Sequence, residues 1–270
     1  MKRQAGFSLL EMLVAVGISL VVIAATLAAF NDALHANETV VGMADITANL
    51  RAGMNMLVHD SIQAGSGIPT GGIPIPSGGA GLPINRPSPP NMNYTFPVGY
   101  TTVPAVTPGP GMGPFIPPVG GVPTDMVTIL YADNSIPLNT LPLVSISPTG
   151  IQIQVNPSID IATGNTALKP GDLILFSNAQ GDALQLVTRI TGGQTVLFDA
   201  GDFFGLNQTG AAQGSILALQ TPPGSGVYPP TTASRVLMVS YYVDSVTNPR
   251  EPRLVRQVNN NAPWAVALAA

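Results

Sequence analysis

No cysteine occurs in the 270 residues. A disulfide framework, a thiol nucleophile and a thiolate metal site are therefore excluded, and stability outside the cytoplasm must come from packing. Charge is also scarce: Asp, Glu, Lys and Arg make up 9% of the chain, against about 25% in ordinary globular proteins. Ten basic and fourteen acidic residues leave a formal net charge of −4, a sign that argues against broad electrostatic binding of nucleic acid. The only histidines, His35 and His59, are 24 positions apart. On one helix that separation is about 36 Å, so they cannot share a metal within one chain. With no histidine after residue 59, Ser/His/Asp and Cys/His nucleophile systems have no base in the second half. Gly192-Gly193 and Gly224-Ser225-Gly226 lack the Lys-Ser/Thr that completes a phosphate loop. Asp199, Asp202 and Asn207 are rich in oxygen but fit no EF-hand spacing, and read as strand ends and turns. Neither metal nor cofactor is expected, and no enzymatic constellation stands out.

What the chain does contain is one long apolar run. From Phe7 to Phe30 the only charged side chain is Glu11. As a helix those 24 residues cover about 36 Å, enough to span a hydrocarbon layer of about 30 Å with some tilt. An ionised side chain inside that layer costs roughly 2.5–3.5 kcal/mol even on lenient scales, so it is ordinarily paired and functional. A secretory signal would have a shorter apolar core and a small-residue cleavage site on its far side. Here the small residue, Gly6, precedes the run and follows the basic pair Lys2 and Arg3.

This arrangement, a short basic leader ending in Gly6, then Phe7, then Glu11 as the fifth residue counted from Phe7, resembles the type III signal of the type IV pilin superfamily. The resemblance implies that a prepilin peptidase cuts between Gly6 and Phe7 on the cytoplasmic side and methylates the new amine of Phe7. It also implies a partner for Glu11: the Phe7 amine of a neighbouring filament subunit, cationic near neutral pH given a reference pKa of about 7.7–8.0. A buried pair of that kind sets register during assembly. Removal of Lys2 and Arg3 would leave eight basic residues against fourteen acidic ones, a net charge of −6.

Beyond the leader (1–6) and the transmembrane stretch (7–30), helical periodicity continues through 31–64. Met43, Ile46, Leu50, Met54, Leu57 and Ser61 or Ile62 form one apolar stripe, predicted to face a core, with Asp32, Glu38, Asp45, Arg51 and Asp60 largely off it. Between Gly65 and Pro123, 28 of 59 residues are Gly or Pro and Arg86 is the only charged side chain. Regular helix is excluded there. The segment reads as an extended loop insertion, either draped over the head or serving as a contact surface, with Tyr94, Phe96, Tyr100 and Phe115 as anchors. No Gly-X-Y period supports collagen. From 124 to 258 short β-favouring runs alternate with turns: TDMVTILYA, GIQIQV, DLILFS, ALQLVTRIT, TVLFD, SILALQ, RVLMVSYYVD and PRLVRQV, without βαβ alternation. An antiparallel sheet is the natural result. The tail, 259–270, carries the only tryptophan, Trp264, and is read as a cap on the head or a subunit contact. Arg250, Arg253 and Arg256 form a candidate binding patch for DNA or an acidic surface. Arg253 and Arg256 are oddly spaced, however, and would point to opposite sides of a strand.

The β region resembles the head of PilW-like minor pilins in Asp125–Tyr131, Gly171–Leu175, Leu186–Thr188, Val239–Val243 and Pro252–Arg256. It departs from them at Val255, where an aromatic is expected, and at Ser177–Gln180, where relatives often carry cysteine. The expected fold class is α+β and pilin-like: a long transmembrane and amphipathic N-terminal helix packed on an antiparallel β head, with a long Gly/Pro-rich loop insertion. The resemblance implies a non-enzymatic minor pilin that primes type IV pilus assembly or sits at its tip. Its partners would be the prepilin peptidase, other minor and major pilins and the inner-membrane assembly machinery. The chain would be stored as a single-pass inner-membrane protein and then displayed on a cell-surface pilus. The alternatives are a J-like type II secretion pseudopilin, or a tip adhesin or DNA-uptake module.

Overall fold

The computed structural model describes residues 8–76, 84–89, 92–116, 123–164, 167–208, 213–250, 252–259 and 264–265. Two units divide the chain, the first closing at Arg51 and the second opening at Ala52.

No proline occurs between Phe7 and Ile68, and the chain forms a single helix, α1 (Leu9–Gln63), of 55 residues. Gly65, at φ +78°, ends it in the left-handed conformation that glycine adopts without strain. Along the first unit the apolar side chains are exposed, among them Val14, Ile18, Leu27 and Phe30. Among the described residues this is the one helix long and apolar enough to cross a membrane.

The second unit is built around an antiparallel sheet. After α1 come the short strands β1 (Ile73–Pro74) and β2 (Thr102–Val103), which pair with each other, then β3 (Val106–Gly109) and β4 (Met126–Asp133). Next are β5 (Ser145–Ile146), β6 (Gln152–Gln154), β7 (Leu173–Asn178), β8 (Gly181–Leu186), β9 (Arg189–Thr191) and β10 (Thr195–Leu197). The chain closes with β11 (Thr232–Asp244), β12 (Arg253–Val258) and β13 (Trp264–Ala265). The main sheet runs β13-β12-β11-β4-β3, with β7 also on β11 and β8 on β7. A smaller sheet runs β5-β6-β10-β9.

The thirteen residues of β11 organise the main sheet. One edge pairs with β4; the other is divided between β7, over Thr232–Val236, and β12, over Val239–Asp244. Asn259 closes the gap between them. Its N–H donates to the Met238 carbonyl at 2.8 Å, and its Oδ1 accepts the Met238 N–H at 2.8 Å. Nδ2 donates to the Val236 carbonyl at 3.4 Å. Its φ of +49° is one that Asn tolerates better than most residues.

Both faces of this sheet are covered. Ile129, Tyr131, Val239 and Tyr241 meet Leu57 of α1 and Ala64, just past its end. Leu130, Val236 and Met238 meet Ile73, Ile75, Ile84, Phe96 and Val103. A third cluster joins the smaller sheet to Ile174, Phe176 and Ala233.

These contacts change three sequence-based readings. The described residues of the Gly/Pro-rich segment are largely loop, as its composition requires, but they contribute β1, β2 and β3 and bury Ile73, Ile75, Ile84, Phe96 and Val103, because these isolated apolar residues find partners on the sheet. In the second unit the buried face of α1 is Gly53 and Asp60 with half-buried Leu57, whereas Met54 and Ile62 are exposed. The sheet supplies partners for Asp60. SILALQ forms a 3-10 turn at Ile216–Leu219, burying Ile216, Leu217 and Leu219 without ladder pairing. The tail places β13 against β12.

Candidate functional site

Two charged centres stand out, one in each unit. In the first, Ser8 and Glu11 have the S-x-x-E spacing of a capping box. Glu11 Oε2 accepts the Ser8 N–H at 2.9 Å, and Ser8 Oγ accepts the Glu11 N–H at 3.2 Å. The carboxylate is thus folded back over the helix start, beside the position that follows Phe7. Gly6 and Phe7, the expected cleavage and methylation positions, lie outside the described residues. The capping role of Glu11 is encoded in the Ser8-x-x-Glu11 spacing, which apolar periodicity alone does not expose.

In the second unit Asp60 projects from the last turns of α1 into the sheet and is only 2% exposed. Antiparallel register brings Tyr241 opposite Arg256 on β12 and Val127 on β4, on the same face as Tyr131. Tyr131 donates its hydroxyl to Asp60 Oδ1 at 2.9 Å, and Tyr241 donates to Oδ2 at 2.6 Å. Arg256 completes a fork, Nε to Oδ2 at 2.7 Å and Nη2 to Oδ1 at 3.1 Å, and Nη2 also reaches the Tyr131 oxygen at 3.2 Å. Burial alone would raise the Asp60 pKa, but the bonds from Arg256, Tyr241 and Tyr131 hold its carboxyl below the usual range. The Tyr131 phenol is pushed up to about 12 by burial and by the adjacent Asp60. With four donors on two oxygens, the carboxylate has no capacity left for a metal. An open groove lined by Asn55, Met56, His59, Asp60 and Arg256 runs beside it.

Helical periodicity places Asp60 off the apolar stripe and does not reveal its burial. Its partners converge only through strand register. The same register separates the arginines. Arg256 is half-buried on Asp60, while Arg253 is exposed on the other face and pairs in register with Asp244, whose pKa it helps to lower after burial and the Thr247 and Val246 bonds are counted. Arg250 is exposed. The candidate patch of Arg250, Arg253 and Arg256 is therefore not a single cationic surface. Arg235 forms an ion pair with Asp133 and lies 3.7 Å from Asp172.

The oxygen-rich loop is occupied by its own backbone. Asp202 accepts the N–H groups of Phe204, Leu206 and Asn207, and Asp199 accepts Thr188 and Arg189. His59 Nδ1 lies 3.8 Å from Asp60 Oδ1, and His35 Nδ1 lies 3.5 Å from Glu38. Among the described residues no group of three or more His, Asp or Glu side chains converges as a metal site would require.

Comparison with known proteins places one part of the chain. Residues 1–27 match the family model described as the prokaryotic N-terminal methylation motif. No curated protein and no solved structure matches the chain. The motif supports a type IV pilin-like or pseudopilin-like substrate of a prepilin peptidase, and with the apolar α1 it fits inner-membrane anchoring.

Proposed function

We propose that the chain is a minor pilin, cut between Gly6 and Phe7, methylated on Phe7 and incorporated into a type IV pilus with other minor and major pilins, where it primes assembly or caps the tip. The observation that carries this reading is Glu11, the only charged side chain in the apolar run from Phe7 to Phe30, on an exposed stretch of α1 and inside the matched motif. An unpaired charge there is costly, and the new Phe7 amine of a neighbouring subunit is the cation that cleavage would supply. The second unit then serves as the head, fastened to the helix end by Asp60 and its three partners. Extraction from the inner membrane into a helical bundle is the proposed mechanism, with no reaction catalysed by the head.

Gly6→Val tests the leader. The expected result is an uncut chain of unchanged mass that lacks methyl-phenylalanine, and normal processing would refute the assignment. The same motif suits a pseudopilin of type II secretion. Immunogold labelling of sheared pili distinguishes the two: label on the filament supports the pilus reading, and bare pili together with a secretion defect on deletion support the other.

A further inference from the structure

Arg86 has an environment that neither assembly nor helix anchoring explains. It is the only charged residue between Gly65 and Pro123, yet it is 0% exposed. Its backbone is fixed by an N–H bond to the Tyr94 carbonyl at 2.7 Å, and its guanidinium lies over the Phe96 ring, 5.0 Å from the centroid. A guanidinium carries five N–H donors. Here Nη2 reaches the Pro108 carbonyl at 3.3 Å, while Nε and Nη1 meet no acceptor. Burial pulls its pKa down to about 10.

A second orphan lies on the same side of the sheet. Register pairs Thr107 with Thr128 and Gly109 with Met126, so Thr107 and Gly109 share a face of β3. Nη1 of Arg86 lies 3.0 Å from where a Cβ on Gly109 would stand. Thr107 Oγ1 is buried without a partner, although its neighbours across the sheet, Thr128 and Ser240, bond to each other at 2.8 Å. Removing an ion from water is costly, and a cation–π contact offsets only part of that cost. Water would satisfy the hydroxyl but would leave the charge unbalanced. One small negative acceptor between them would satisfy both.

Size and charge narrow the choice. Phe96 blocks one face of the guanidinium, and a Cβ on Gly109 would already stand 2.6 Å from Met126 Cγ and 3.2 Å from Met112 Sδ. Contacts that close leave little room beside Nη1 and favour a small ion, and a dianion would overcompensate one cation. We propose that Arg86 and Thr107 bind a small monovalent anion, a halide or a short carboxylate, enclosed between the main sheet and the Gly/Pro-rich segment, which it fastens to the sheet.

The test is thermal unfolding of the full chain in detergent micelles, with sodium sulfate replaced stepwise by chloride or formate at constant ionic strength. Relative to Arg86→Met, the wild type should gain on the order of 5 °C, saturably, once the anion is about 100-fold above its Kd. Wild type and variant responding alike would overturn the site. Should Arg86→Met fail to fold, Thr107→Val supplies the comparison, with a weaker and right-shifted gain expected. Wild-type crystals soaked in bromide give a direct reading: an anomalous peak beside the Arg86 guanidinium is expected, and bromide elsewhere or nowhere refutes the proposal. None of these readouts depends on leader processing or filament incorporation.

Discussion

A carboxylate buried as deeply as Asp60 costs several kcal/mol unless its lone pairs are filled, and Tyr131, Tyr241 and the Arg256 fork fill them. Removing one member exposes the cost of the others. Asp60→Ala strands the Arg256 guanidinium and two phenols and should destabilise the second unit by about 3–5 kcal/mol, lowering its melting temperature by roughly 6–20 °C. Asp60→Ala combined with Arg256→Met should recover part of that loss, because no unpaired charge remains. Thermal unfolding of the two variants would check this, and equal destabilisation would show that packing rather than charge pairing dominates. The pH dependence has a definite sign. Asp60 has a folded pKa below its unfolded value, so its contribution is full above about pH 4 and is lost as the pH falls through the folded pKa. Tyr131, raised to about 12, should cost stability between its ordinary value near 10 and 12. Acid and alkaline melts of the wild type should show both limbs, and Asp60→Ala should have a shallower acid limb, the remainder coming from Asp133 and Asp244, whose carboxyls are also held low. Little of this centre was legible beforehand: an acid on a helix reads as solvated, and only strand register assembles its three partners. Glu11 is legible in the sequence as an expensive charge, whereas its bonds to Ser8 depend on where the helix starts.

At the scale of elements, composition proved a better guide to backbone than to burial. Seven of the eight β-favouring runs form strands, since alternation survives in short segments such as Ile151-Gln152-Ile153-Gln154-Val155. The eighth, SILALQ, folds as a 3-10 turn because Leu and Ala also tolerate helical backbone and burial of Ile216, Leu217 and Leu219 requires no ladder. Gly and Pro density gave the loop character of the segment from Gly65 to Pro123, but not its place beneath the sheet, which depends on a few scattered apolar residues. Deleting it therefore has a different expected outcome from that of a peripheral insertion. Ile73, Ile75, Ile84, Phe96 and Val103 are each at most 3% exposed, and burial stabilises by about 1.5–3 kcal/mol for each such side chain. Their sum, on the order of 10 kcal/mol, matches the whole stability of a typical domain. Replacing 65–123 with a short linker should abolish the cooperative unfolding transition; a head that still melts cooperatively would mean the sheet tolerates an open second face.

For the whole molecule, the question is which of its two properties Glu11 supplies: a local cap for α1, or a charge for another subunit. Both use the same carboxylate, so Glu11→Ala removes both. If pairing with the Phe7 amine of a neighbour drives docking, Glu11→Ala should still insert and be cleaved, but its incorporation into filaments should fall by at least about tenfold, the equivalent of 1.4 kcal/mol. Ser8→Ala separates the two roles, because it removes the hydroxyl bond of the capping box, worth about 0.5–2 kcal/mol to a helix, and leaves the charge in place. Quantitative immunoblots of sheared pili against membrane fractions would measure both variants. Pairing requires that Ser8→Ala assemble nearly as wild type while Glu11→Ala does not. Equal defects would instead mean that the long apolar helix needs its first turn capped, and that the carboxylate acts within its own subunit.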